Sequence, residues 1–308
     1  MSYFSVFPCV ATLLIHAMMS AMSFRQSVLS PVPSRFPVLR ETSTSLGVNN
    51  LRFTQVISDV DDTLKSSGGV SVGGVALGGI DVQYDRGDFY PGVGEFMLAL
   101  SQCGLTEEVN PANIAILTAR AEEFKAALEI KEGSKLAVAL RSAGEKVGIN
   151  GWGVGPVLYG SVAEWIAQDR KGLRKFTNFE RLIEQDPTGT IFQYIYVGDT
   201  GELDQEAGET MLREYPEVMK AVFLHVVTDD VEGPPLIPPP KLINGHPVIF
   251  FRTYVGAAID AVQLGLMSLD GLQSVIEAAT EKLSDVPENS DKWKDIRKDM
   301  ARADVLLL

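Results

Sequence analysis

The chain predicts an α/β fold, a mainly parallel sheet flanked by helices. Short apolar runs alternate with stretches of helical spacing, and two of those runs end in clustered carboxylates. Composition agrees. The 308 residues are 45% hydrophobic and 22% charged, ordinary globular values. That excludes a disordered polymer, a collagen-like fibre and a polytopic membrane protein.

The body is expected to begin near Leu51, and residues 51–308 are read as one domain. Residues 54–59 form a short apolar run around Val56 and Ile57, read as a strand. Residues 65–90 are glycine-rich and loop-like. Residues 91–103 carry helical apolar spacing (Val93, Phe96, Met97, Leu100) with Pro91 at the start. Residues 113–118 read as strand, 121–128 and 173–185 as helices, and 192–197 and 221–227 as strands. Residues 233–240 are proline-rich, a stiff connecting loop. Beyond them, 250–266 predicts a buried helix, 269–283 an amphipathic one and 291–303 a charged one. Arg252, in an apolar run, is expected to be salt-bridged or capping.

Residues 1–50 differ from the body. Residues 4–24 are apolar and uncharged apart from His16 and some serines, and they close on Ser20-Ala21-Met22-Ser23. That pattern predicts a signal peptide over 1–23. Residues 24–50 are rich in Ser, Pro and Arg, with Glu41 as their acid, and predict a transit peptide or linker. The pair resembles the bipartite plastid leader of algae with secondary plastids. A plastid location is therefore expected, with the secretory pathway or cytoplasm as alternatives, and with no stable membrane insertion of the mature chain.

Net charge is −13, from 27 basic and 40 acidic residues. Residues 1–50 hold Arg25, Arg35, Arg40 and Glu41, so the acidic excess belongs to the body. Such a body is a poor partner for nucleic acid or an anionic membrane. The cysteines are Cys9 and Cys103, which leave no disulfide framework in a mature chain and no CxxC zinc site. His16, His225 and His246 are scattered, so chemistry is sought among the carboxylates.

Asp59-Val60-Asp61-Asp62-Thr63 places three acids at the end of an apolar strand. Ligands of parallel sheets bind beyond the carboxyl ends of strands, and crowded carboxylates repel unless a cation lies among them. The competing reading is an acidic loop that caps a turn. Gly198-Asp199-Thr200-Gly201-Glu202-Leu203-Asp204 ends a second apolar strand in the same way, with Gly198 allowing close backbone approach to a ligand. A third strand, residues 114–118, ends in the Thr118 hydroxyl. Lys175 precedes the Asp199 strand on a predicted helix, where Phe179 and Leu182 follow at i+4 and i+7 toward the core. Lys171 is the competing lysine. Asp62 is read as a structural cap and Thr63 as a turn cap.

This ordered set resembles the haloacid-dehalogenase superfamily signature, Asp-x-Asp-x-Thr, Thr, Lys and Gly-Asp-x4-Asp. The finer similarity, over residues 54–265, is to phosphatidate phosphatases of the actin-patch-protein type and their plant and algal relatives. It rests on 58–65, 198–204, Tyr90-Pro91-Gly92-Val93 and Phe250-Phe251-Arg252-Thr253-Tyr254. Two departures concern the substrate: Leu117-Thr118-Ala119-Arg120 stands where lipid-active members carry a serine-rich stretch, and residues 67–80 form a glycine-rich insertion.

The resemblance implies a Rossmann-like parallel sheet with a small flap insertion after the first strand. It implies Mg²⁺ as cofactor and a phosphomonoester as substrate, either a phospholipid or a small phosphorylated molecule. Asp59 would be the nucleophile and Asp61 the general acid and base. Thr118 and Lys175 would bind the phosphoryl group. Asp59, Asp61 (through its carbonyl), Asp199 and Asp204 would form the metal site. A non-catalytic phospho-ligand scaffold is the alternative from another class.

Overall fold

The computed structural model describes residues 52–307, apart from 70, 73–74, 77–79, 106–108, 122–129, 131, 161–170, 202 and 229–234. The predicted leader (1–23 and 24–50), Glu202 and nearly all of the predicted 121–128 helix lie outside the described residues, as do the side chains of Arg120 and Lys171.

In chain order the strands are β1 (Phe53–Ser58), β2 (Ser71–Val72), β3 (Val75–Ala76), β4 (Ile114–Ala121), β5 (Val154–Gly160), β6 (Ile191–Asp199), β7 (Met219–His225), β8 (Lys241–Ile243) and β9 (His246–Phe251). The helices are α1 (Val93–Ser101), α2 (Lys135–Lys146), α3 (Lys171–Glu184), α4 (Asp204–Glu214), α5 (Tyr254–Gln263), α6 (Leu269–Lys282) and α7 (Asp291–Leu307). Seven strands form one sheet in the order β5-β4-β1-β6-β7-β9-β8. All its pairs are parallel except the edge hairpin β8–β9.

Helices cover both faces, which is why the central strands are apolar throughout rather than alternating. Val56, Ile116, Ile195 and Phe223 face one core with α1, α2, α5, α6 and α7. Ile57, Leu117, Tyr196 and Val222 face the other with α3 and α4. This is a three-layer α/β arrangement, consistent with a Rossmann-like fold. The edges are blunted: Pro156 sits in β5, where a missing N–H costs no inner ladder bond, and β8 is three residues long.

Among the described residues, four helices start on side-chain caps, with Ser134, Thr253, Ser268 and Ser290 accepting from Ala137, Gly256, Gly271 and Trp293. Ahead of α1, Gly92 has φ of 79°, and a Cβ there would fall 2.8 Å from the Val275 carbonyl oxygen. Only glycine lets α1 and α6 meet so closely.

The predicted helix over 250–266 is corrected. Its first part is β9, paired in parallel with β7, and the helix begins only after the Thr253 cap. Phe250 and Phe251 are apolar because they are buried on opposite faces of the sheet. The expected start of a helix at residue 121 is also corrected, since β4 runs through Ala121. The supposed loop 65–90 carries the two-stranded β2–β3 sheet. Arg252 is ion-paired, its Nε 3.5 Å from Asp295, as expected. Among the described residues, no helix is long and apolar enough to cross a membrane.

His225 closes β7 and is fully buried, with Nδ1 2.8 Å from the Asp62 carbonyl oxygen and Nε2 3.2 Å from that of Arg252. Burial, and then the Arg252 guanidinium, pushes its pKa down to about 3. The unfolded chain takes up the proton near 6.5, before the folded one does. His225 therefore contributes stability that is full above pH 6.5 and is lost as pH falls toward 3. Urea unfolding of His225→Gln should show a shallower fall in stability below pH 6.5, by up to about 1.4 kcal/mol per pH unit. Equal slopes for the two proteins would contradict this account.

Candidate functional site

The sheet order puts β4 and β5 on one side of β1 and β6 on the other, so the strand order reverses at β1. In an open parallel sheet this switch point opens a crevice at the strands' carboxyl ends. Asp59 follows β1 and Asp199 ends β6. The β1–β6 ladder continues past Ser58, with the Asp59 N–H donating to the Val197 carbonyl at 3.1 Å. The two acid-tipped strands are immediate neighbours.

Asp204 joins them from the first turn of α4, where the positive end of a helix suits a carboxylate. Asp59, Asp199 and Asp204 are all buried, and they offer carboxylate oxygens that lie within 4.8 Å of one another. They form a group that could hold a metal ion.

The local chain explains this placement. Asp199 Oδ1 accepts the Gly201 N–H at 2.6 Å, and Oδ2 lies 3.5 Å from the Thr63 hydroxyl. Asp204 Oδ2 accepts the Asp199 N–H at 3.3 Å. A Cβ at Gly198 would fall 2.8 Å from the Asp204 Cβ. The close approach expected at Gly198 is thus made by the Asp204 side chain.

Lys175 reaches the cluster from the second turn of α3. Its ammonium lies 3.2 Å from Asp59 Oδ1 and donates to Asp204 Oδ1. Its side chain is 1% exposed. Phe179 and Leu182 are buried on the same face, as the spacing predicts. An ammonium so buried needs carboxylate partners, and buried carboxylates need a cation. Three acids against one lysine leave a negative excess of oxygen donors, the donor set that suits a hard divalent cation. The residues present fit such an ion.

Thr118 is buried near the end of β4. Ser58 pairs with Ile116, so Thr118 stands two residues further along, level with the turn that follows Asp59. Asp61 does not join the buried carboxylates. It is part-exposed, 3.1 Å from Lys65, on a turn closed by the Leu64 N–H to the Val60 carbonyl. An acid at the rim is open to whatever enters the crevice, unlike the three buried carboxylates.

Sequence reasoning missed three contributors. Thr63, expected to cap a turn, turns its hydroxyl toward Asp199. Gly201 supplies the N–H that Asp199 accepts, and only its glycine character hinted at this. Among the described residues the buried Tyr196 hydroxyl has no hydrogen-bond partner, and burial first, then Asp204, raises its ionisation well above the usual range. Trp152 and Tyr159 are buried in the packing, their polar ends bonded to the backbone of Ala112 and Ile130. Cys103 is half-buried, and burial raises its thiol pKa.

No family model, curated protein or solved structure matches this chain.

Lys175→Met removes the one ammonium described between Asp59 and Asp204. The variant should lose about 3–5 kcal/mol of stability, because two buried carboxylates are left facing each other. The measure is the urea midpoint at neutral pH without divalent ions. A variant as stable as wild type would mean that the cluster is not held by this charge.

Proposed function

We propose that this chain is a Mg²⁺-dependent phosphatase that hydrolyses a phosphomonoester through an aspartyl-phosphate on Asp59. The observation that carries the reading is the buried meeting of Asp59, Asp199 and Asp204 with Lys175 at the sheet's switch point. Also in support is the ordered resemblance to the haloacid-dehalogenase signature, whose nucleophile, metal and lysine positions are these four residues.

In this reading Asp59 attacks phosphorus through a carboxylate oxygen and the ester P–O bond breaks. Asp61 gives its proton to the departing alkoxide. Asp61, now a carboxylate, takes a proton from water as that water attacks the aspartyl-phosphate. Inorganic phosphate leaves and Asp59 is restored. Lys175 offsets the repulsion between the Asp59 carboxylate and an approaching phosphate dianion, and Thr118 binds a phosphoryl oxygen. Asp59, Asp199 and Asp204 would hold Mg²⁺, together with the Asp61 carbonyl as the resemblance places it. Bound there, the ion supplies charge neutralisation at the phosphoryl oxygens. Positioning and charge do most of the work in phosphoryl transfer, so few other groups are required.

Phosphatidate is the substrate that the finer resemblance names. The net charge of −13 weighs against docking on an anionic bilayer, which favours a soluble phosphomonoester as the second reading.

The purified protein should turn over p-nitrophenyl phosphate with Mg²⁺, lose that activity in chelator and regain it with added Mg²⁺. Asp59→Asn should lower kcat by about 10³-fold or more. Asp199→Asn should raise the Mg²⁺ concentration required. A protein that binds phosphate but never turns the ester over would be a scaffold, and the phosphatase reading would fall. A phospholipid and sugar-phosphate panel then separates the two substrate classes.

A further inference from the structure

Asp62 lies between the rim acid Asp61 and Thr63, and every polar atom it has is engaged. Its N–H donates to the Lys65 carbonyl at 2.7 Å. Its own carbonyl lies 2.8 Å from His225 Nδ1. Its carboxylate accepts three backbone N–H groups from the inserted segment. Oδ1 takes that of Ser67 at 2.7 Å, and Oδ2 takes those of Ile80 and of Asp81, the latter at 2.9 Å. The side chain is fully buried and has no cation among these partners. A cap for one turn needs a single N–H. Here one carboxylate joins both ends of an insertion that leaves the chain at Ser67 and returns at Ile80.

The backbone supports the same point. Asp62 has φ of 60°, a left-handed conformation that few residues other than glycine adopt. Asparagine and aspartate tolerate it best, but only aspartate brings two acceptor oxygens.

The returning end is itself tied down. Asp81 accepts from the Tyr90 hydroxyl at 2.9 Å, and the Val82 N–H donates to the Thr228 carbonyl at 3.2 Å. Ile80 also reaches the second acid loop: a Cβ at Gly201 would fall 2.9 Å from Ile80 Cγ1. Gly201 is the residue whose N–H holds Asp199. The insertion's foot therefore touches both acid loops, one through the Asp62 carboxylate and one through Ile80.

We infer that Asp62 is a positioning residue, whose carboxylate clamps Ser67, Ile80 and Asp81 and thereby holds Asp61 where it can protonate a leaving group. This rests on the phosphatase reading and deepens it. The role differs from that of a stability cap in a measurable way. A general acid matters most when the leaving group is a poor one. If Asp62 acts through Asp61, its loss must hurt an alkyl phosphate more than an aryl phosphate.

The test uses the full chain with Mg²⁺ and the variant Asp62→Asn, which keeps the size and tolerates the positive φ. Hydrogen exchange in wild type should show the Ser67, Ile80 and Asp81 amides protected, and in the variant they should exchange about tenfold faster or more. Turnover of glycerol phosphate should fall about tenfold further than that of p-nitrophenyl phosphate, the pattern also expected of Asp61→Asn. Unprotected amides in active wild-type protein would overturn the clamp, whether or not the variant folds. Equal losses on the two esters would overturn the link to Asp61 and leave a tether only. Wild type inactive on both esters would overturn the phosphatase reading and that link with it, while the exchange result would still judge the clamp.

Discussion

The site is organised by one buried ammonium. Lys175 lies between Asp59, from the central strand, and Asp204, from the start of α4. Neither carboxylate is easily kept ionised in a dry interior alone, and neither is the lysine. The lysine offsets one of their two charges, and Asp199 adds a third carboxylate beside them. The requirement is reciprocal. α3 must pack so that Lys175 points inward, and α4 must begin where Asp204 faces it. Phe179 and Leu182 fix the first, and the close approach at Gly198 fixes the second.

Topology makes the meeting possible. Asp59 and Asp199 are 140 positions apart in sequence, yet β1 and β6 are hydrogen-bonded neighbours with the strand order reversing beside them. The chain leaves β1 and β6 toward opposite faces, which opens a crevice at the strand ends with the start of α4 beside it. His225, at the end of β7, extends that floor without adding charge, since burial keeps it neutral.

The chain after β1 divides labour between adjacent acids. Asp59 is buried and belongs to the charge cluster. Asp61 is at the rim against Lys65. Asp62 is buried again but faces the backbone of the insertion, not the ammonium. One tight turn sends three identical side-chain types to three environments. Environment, not residue type, then decides what each carboxylate does.

Sequence alone was enough for the alternation of strands and helices and for the acid-tipped strands, and it singled out Asp59, Asp199, Asp204 and Lys175, which the fold brings together. Apolar runs buried on both faces and helical spacing are local patterns, and carboxylates clustered after a strand are costly without a purpose. It was not enough where a local pattern has two readings. Phe250 and Phe251 looked helical because the apolar run continues into Val255 and Ile259, and only pairing with β7 makes them strand. The Asn244-Gly245 turn, with φ of 50° and 83°, folds β8 back on β9 and so sets the following residues in the sheet. Spacing favoured Lys175 over Lys171, but only the tertiary fold puts its ammonium between Asp59 and Asp204. Asp62 and Thr63 could be read only as caps, because their partners are set by how the insertion folds back and by where the second acid loop lies. Hydrogen bonds between distant segments leave no periodic trace in sequence, so their partners are decided by the assembled fold.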